Sequence, residues 1–292
     1  MAINQVEGFF NDLRKYNTKE SVLRRANQEV NYLNNQCGSI GSLKKYYTIY
    51  RNYLKINIKQ ERLVSGISLI SLLLGVLRLN NEQQRAFMGN QKKEVSKSQG
   101  NLRKIYDVNG YIKVSTGLLS AVSVYERILG IAALTGRRVG EVACTAKFEP
   151  VQDNCFKALF TGQLKTKFRT DIKSYEIPLL HNYEIISKSL LSVQSAKPQF
   201  LNNPALFNPT ASSKLSVLIK RHFSGIFEGE QKTKDLRSIY ALLAFERFKE
   251  EESSEFVTVS INKFFANILG HSADDLITCG SYIDFCTASF KQ

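Results

Sequence analysis

Apolar residues in the first 80 positions recur every three or four residues. Val6, Phe9, Phe10 and Leu13 fall on one helical face, and Val22, Leu23, Ala26 and Val30 on another. Asn17 or Thr18 offers a cap for the second run, and Cys37–Gly38–Ser39 breaks the pattern. A third helix, Leu43 to Lys55, interleaves lysine and tyrosine. The uncharged run Leu63–Leu77 lies between Arg62 and Arg78. At 15 residues, diluted by serine and glycine, it is short of the roughly 20 needed to cross a bilayer and predicts a buried core helix.

From Asn81 to Lys104 the composition turns to Asn, Gln, Lys and Ser with Gly89 and Gly100, the signature of a linker with a helical piece around Glu82–Met88. Beyond it the pattern is mixed. Val122–Leu134 is a helical apolar run ending in Thr135–Gly136. Short strands are expected at Cys144–Phe148, Phe156–Phe160 and Tyr175–Leu179, with a Lys/Thr-rich hairpin between the last two. Helices return at Asn182–Val193, Ser212–Phe227, Lys234–Phe248 and Val259–Leu269, with Asn203–Pro209 as a loop and Lys249–Glu255 as a solvated one. The expected organisation is a helical domain over 1–80, a basic linker over 81–104, and an α+β domain over 105–292. The fold class is mostly α with a small antiparallel β-sheet.

Charge narrows the partner. With 40 Lys and Arg against 26 Asp and Glu, the chain carries +14, most simply explained by a polyanion, nucleic acid first. A basic protein charged only for solubility is the alternative. Lys44, Lys45 and Arg51 on the Lys/Tyr helix, and Lys92 and Lys93 in the linker, suit phosphate contacts along a duplex as well as a solvated face. The five cysteines are scattered without a CxxC pair, and the three histidines add no zinc constellation. Reduced thiols, a soluble protein in the cytoplasm, and no cofactor or metal are expected. Met1–Phe10 reads as polar helix rather than secretory signal.

Four short motifs carry the candidate chemistry. Gly136–Arg137–Arg138–Val139–Gly140–Glu141 follows a helix, and Gly162–Gln163–Leu164–Lys165–Thr166–Lys167 occupies the hairpin. Lys234–Asp235–Leu236–Arg237 opens a helix, and Leu269–Gly270–His271 ends one, eleven residues before Tyr282. Singly each is weak. Arg138 could serve a helix C-terminus, His271 could be a packed cap, and both hairpin lysines could be solvated. Lys234 and Arg237 at a helix start oppose its dipole, which points to an anion.

In this order the motifs resemble the active site of the tyrosine recombinases over residues 100–292. The resemblance implies a helical core-binding domain followed by a recombinase catalytic domain. Arg138 and Arg237 become the arginines on the scissile phosphate and Glu141 the carboxylate supporting the first. Lys165, or alternatively Lys167, becomes the general acid. His271 assists, Lys234 stands where the family usually has histidine, and Tyr282 becomes the nucleophile. Arg137 and Lys167 join the DNA contacts. The chemistry suits these residue types: guanidiniums are fixed, always charged, bidentate phosphate ligands, and a tyrosine ester retains the bond energy needed for resealing.

The doubled arginine, the GQLKTK hairpin, Lys234 and the long gap from His271 to Tyr282 look like the telomere resolvases (protelomerases). That branch implies double-stranded DNA with an inverted-repeat target, a homodimer on DNA, closed hairpin ends, and a bacterial or phage-encoded, nucleoid-associated enzyme. The alternative is an integrase- or excisionase-type recombinase, working as a tetramer. An inactive DNA-binding protein of the same fold, or a sequence-tolerant topoisomerase, is the third reading.

Overall fold

The computed structural model describes residues 2–57, 66, 68–164, 174–249, 260–270 and 282–287. Two compact units divide the chain, Met1–Glu94 and Val95–Gln292.

The first unit is helical: α1 (Ala2–Leu13), α2 (Lys19–Gln36), α3 (Ile40–Asn57), α4 (Leu69–Val76) and the first part of α5 (Asn81–Gly100). Val6, Phe9, Phe10 and Leu13 of α1 are buried against Val22, Ala26, Tyr47, Tyr50 and Leu54. Thr18 caps α2 through a box with Ser21. Glu29 is buried, a position the apolar pattern gives no reason to expect. Its carboxylate accepts the Tyr50 hydroxyl at 2.5 Å, Arg25 Nη1 at 3.1 Å and Gln5 Nε2 at 3.3 Å. Within the apolar run at Leu63–Leu77, α4 has only eight residues, and no helix among the described residues is long and apolar enough to cross a membrane.

The segment read as a linker is instead helical from Asn81 to Gly100. It holds strong helix formers and no proline. Asn80 and Gln83 form a reciprocal cap: the Asn80 side chain accepts Gln83 N at 2.7 Å, and Gln83 Oε1 accepts Asn80 N at 3.1 Å. Mostly polar, with Ala86, Phe87 and Met88 in one cluster, α5 shows no apolar stripe in sequence.

The second unit follows as β1 (Arg103–Lys104), α6 (Val108–Leu118), α7 (Val124–Thr135), α8 (Val139–Cys144), β2 (Lys147–Val151), β3 (Asn154–Thr161) and β4 (Tyr175–Pro178). It continues with α9 (Tyr183–Ala196), a 3-10 turn at Pro198–Phe200, α10 (Pro204–Phe223), α11 (Thr233–Phe248), α12 (Ile261–Leu269) and β5 (Phe285–Cys286). β2, β3 and β4 form an antiparallel sheet in that order, so the fold is mostly α with a small antiparallel sheet. Its core is built on α7, buried all round from Ile128 to Thr135, and α11, buried from Asp235 to Ala244. Such helices belong in the middle of a domain.

Several boundaries differ from the sequence reading, two of them for clear local reasons. The strand placed at Cys144–Phe148 starts at Lys147, because α8 extends to Cys144. The loop placed at Asn203–Pro209 is the start of α10. Asn203 accepts Leu206 N, Pro204 takes the first turn where its missing N–H costs nothing, and Thr210 Oγ1 donates to the Leu206 carbonyl beside Pro209. One pairing carried no signal in the sequence. β1 and β5 lie parallel, with Arg103 N on the Asp284 carbonyl at 3.0 Å and Ile105 N on Cys286 O at 2.9 Å. That pairing fixes the chain just after Tyr282. Of the loop at Lys249–Glu255, only Lys249 lies within the described residues.

Candidate active site

The end of α7 builds the first corner. Gly136 closes the helix at φ 65°, and a Cβ there would lie 2.1 Å from the buried Tyr240 ring, so only glycine fits. The turn then sends two adjacent arginines in opposite directions. Arg138 leads into α8 and turns to the cavity, 23% exposed; Arg137 goes inward.

Glu141, in the first turn of α8, is fully buried and organises the site. Its Oε1 accepts Arg138 Nη1 at 2.6 Å and Leu164 N at 3.1 Å, its Oε2 accepts Arg138 N at 3.0 Å, and Arg237 Nη1 stands 4.0 Å away. Burial alone would raise this carboxyl, but Arg237, Arg137 and Arg138 outweigh it and hold the group below the usual carboxylate range. Arg138 also donates to the Leu164 carbonyl at 3.3 Å. Burial works against its charge, and Glu141 together with Tyr282 more than offsets that, so Arg138 stays above the ordinary arginine value.

Arg237 comes from the second turn of α11 and is 4% exposed. Nη1 donates to the Gly136 carbonyl at 2.5 Å and Nη2 to the Leu269 carbonyl at 2.8 Å. Two helix ends thus fix its plane. Its Nε is buried without a hydrogen-bond partner among the described residues. Burial first, then Arg137, lowers its pKa, yet an arginine keeps its charge in a protein.

Tyr282 is buried with its ring 5.3 Å from the Arg237 guanidinium carbon. Burial pushes the phenol upward, but Arg237 and then Arg138 prevail and leave it below the ordinary tyrosine value. Tyr282, Arg138, Arg237 and Lys234 line one cavity of about 440 Å³ together with Val139, Gly140, Leu164, Asn208 and Thr233. Lys234 is half exposed, and its Nζ lies 3.2 Å from Asp284 Oδ2, two residues past the tyrosine. Asp284 also accepts the Ser238 hydroxyl at 3.3 Å. The cavity opens at the N-terminus of α11, where the helix dipole adds to three cations. It can hold a phosphodiester against an activated phenol.

Of the six residues read as catalytic, the structure therefore brings together Arg138, Lys234, Arg237 and Tyr282. Lys165, Lys167 and His271 lie outside the described residues. Arg137 was placed among DNA contacts, and the structure corrects this. It is 1% exposed, with Nε on the Thr135 carbonyl at 3.1 Å, Nη2 on the Ile268 carbonyl at 2.5 Å and Nη1 on the Tyr175 hydroxyl at 2.5 Å. All three nitrogens are turned into the protein, so none faces DNA. Lys44, Lys45 and Arg51 are exposed on α3, Lys44 with its ammonium 4.0 Å above the Phe87 ring. Lys93 is exposed on α5; Lys92 is in the same helix, with its side chain outside the described set. Sequence reasoning missed Asn208 and Thr233 in the cavity wall and Asp284 beside Lys234, none of which stands in a recognisable motif.

The family described as the telomere resolvase ResT/TelK catalytic domain matches residues 101–285. The chain belongs to that family. A telomere resolvase catalytic domain is a DNA breaking–rejoining enzyme. No curated protein matches the chain in sequence. Among solved structures it is similar to protelomerase TelA covalently complexed with substrate DNA, at 21% identity and TM-score 0.84, covering 98% of this chain and 88% of that one. A mutant TelA complexed with DNA hairpin product matches at 20% identity and TM-score 0.85, with 98% and 88% coverage. Protelomerase TelK complexed with substrate DNA matches at 19% identity and TM-score 0.64, covering 99% of this chain and 59% of that one. At such identities the likeness is one of fold. Among the described residues of this telomere resolvase, Arg138, Lys234, Arg237 and Tyr282 share the cavity.

Proposed function

We propose that this telomere resolvase acts as a homodimer on an inverted-repeat DNA junction and converts it into two covalently closed hairpin ends. The observation that carries the reading is Tyr282 buried in one cavity with Arg138 and Arg237. The two guanidiniums hold the non-bridging oxygens of the scissile phosphate, where negative charge grows in the transition state. Tyr282 Oη attacks phosphorus, forming a 3′-phosphotyrosine while the bond to the 5′ oxygen breaks. The tyrosine proton passes to His271 or to water. The leaving 5′ oxygen takes a proton from the hairpin lysine, Lys165 or Lys167. The 5′ hydroxyl of the opposite strand then attacks the phosphotyrosine, closes the hairpin and releases Tyr282. One phosphodiester replaces another, so neither ATP nor metal is needed for balance. Lys234, held by Asp284, adds a third positive charge at the pocket rim.

The test is a plasmid carrying the inverted repeat, incubated with wild-type protein or Tyr282→Phe without metal or ATP. Linear product that snaps back after denaturation, absent with Tyr282→Phe although binding persists, is the expected result. Recombined circles or nicks without snap-back would move the assignment to the integrase-type reading. Loss of binding in Tyr282→Phe equal to its loss of cleavage would remove the tyrosine from its role.

A further inference from the structure

A chain of hydrogen bonds runs behind the cavity, and the reaction as described makes no use of it. Arg137 Nη1 donates to the Tyr175 hydroxyl at 2.5 Å. Tyr175 in turn donates to Gln163 Oε1 at 2.7 Å, and Gln163 Nε2 donates to the Gly270 carbonyl at 2.9 Å. Its root is rigid: the buried Arg137 guanidinium is fixed at its other nitrogens and lies 4.6 Å over the Phe160 ring.

The far end of this chain ties together two segments that lead straight to reacting groups. Gln163 is two residues before Lys165, and Gly270 directly precedes His271. Around Gln163 the backbone is held as well. Thr145 Oγ1 donates to the Gly162 carbonyl, Leu164 N donates to Glu141, and the Leu164 carbonyl accepts from Arg138. The fit leaves no spare room. Gly162 has φ 92°, with a Cβ position 1.8 Å from the Thr145 carbonyl oxygen. Gly270 has φ 65°, and a Cβ there would lie 2.1 Å from Gln163 Oε1 and 2.5 Å from the Tyr175 hydroxyl. Two glycines at positive φ thus bring two backbone segments within reach of one side-chain amide.

We propose that Gln163 and Tyr175 are positioning residues for the reaction: they brace the base of the lysine hairpin against the turn leading to His271, so that the general acid reaches the leaving oxygen. The inference rests on the reading that a hairpin lysine protonates the 5′ oxygen. Neither residue needs to touch DNA. A brace of this kind acts on proton delivery, whereas a residue needed only for folding would weaken every step alike.

The difference can be measured by single-turnover cleavage with the full chain. Two duplexes are compared, one with an ordinary scissile phosphodiester and one with sulfur in place of the bridging 5′ oxygen. Sulfur departs as a thiolate, which needs no proton at neutral pH. Tyr175→Phe and Gln163→Leu should slow the ordinary duplex by about 10²-fold, the scale of a misplacement near 1 Å, yet cleave the sulfur duplex within about threefold of wild type. Tyr175→Phe removes a single oxygen and keeps the ring, and thermal unfolding confirms that each variant is folded. Lys165→Ala and Lys167→Ala are run alongside, and the general acid among them should show the same rescue. Rescue of a lysine variant without rescue of Tyr175→Phe and Gln163→Leu would overturn the brace alone. Unchanged rates for both brace variants would overturn it as well. Rescue of neither lysine variant would remove the general-acid reading, and the brace with it.

Discussion

Glu141 is the residue on which the site depends most, because its one carboxylate serves three guanidiniums. Glu141→Gln keeps the shape and one acceptor oxygen but removes the charge. Arg138 then loses a 2.6 Å charge-assisted bond, and Arg237 loses its nearby countercharge at 4.0 Å. Breaking a buried ion pair from one side costs about 3–5 kcal/mol. Arg138 is 23% exposed and can turn part of its charge to water, so the low end, about 3 kcal/mol, applies. For a domain of this size each kcal/mol lowers Tm by about 2–4 °C, giving a fall of about 6–12 °C at pH 7. The pH dependence has a definite sign. The folded carboxyl lies below its unfolded value of about 4.3, so its contribution is complete above that pH and disappears as pH falls through the folded pKa. The deficit of the variant should therefore be full at neutral pH and shrink in acid. Circular dichroism melts of both proteins across that range check it. A Tm within about 2 °C of wild type at pH 7, or a deficit that does not depend on pH, would refute the account of Glu141 as countercharge.

Arg138→Ala and Arg237→Ala should each lower the single-turnover cleavage rate by about 10²–10³-fold, the scale for one lost transition-state donor, and an unchanged rate would remove that arginine from the site. Arg237→Ala should also lower stability, since it leaves the Gly136 and Leu269 carbonyls without their donor, which denaturant unfolding would register. Cleavage by wild type should rise with pH and level off below the ordinary tyrosine pKa of about 10, because Arg237 and Arg138 together outweigh burial at Tyr282; in Arg138→Ala the break should move upward. A break that stays in place would separate Arg138 from the phenol. Lys45→Ala and Arg51→Ala should each reduce the slope of log binding constant against log salt by about 0.9, and unchanged slopes would place those side chains away from phosphate.

The helices were legible wherever an apolar stripe demanded burial on one side. The α1 stripe at Val6, Phe9, Phe10 and Leu13 is buried as its spacing predicts. Three elements that rest neither on a stripe nor on a long apolar run were not legible. α5 has polar residues on every face, and its clearest signal, Asn80 with Gln83, looks like ordinary linker composition. At the start of α10, Asn203–Pro204 is a cap with proline in the first turn, yet the same dipeptide also marks loops. β1 and β5 are two residues each, and nothing local announces a pairing across most of the second unit.

The site repeats that division. The motifs that single out Arg138, Arg237 and Tyr282 lead to three side chains that share one cavity. Arg137 was misread because adjacent residues leave a turn in different directions, and sequence does not say which points outward. Charge placement explains the result. Two buried or half-buried arginines at the cavity and a third behind it share one buried carboxylate, Glu141, so positive charge exceeds negative among these four groups. Arg137 and Arg237 meet part of that cost by donating to helix-end carbonyls, which carry the negative end of the dipole. The excess charge is concentrated where Arg138 and Arg237 border the cavity. In the proposed reaction a dianionic transition state meets that charge, and the phenol of Tyr282, lowered by the same guanidiniums, is the nucleophile. The residual imbalance of the fold and the chemistry of the site are one arrangement seen from two sides.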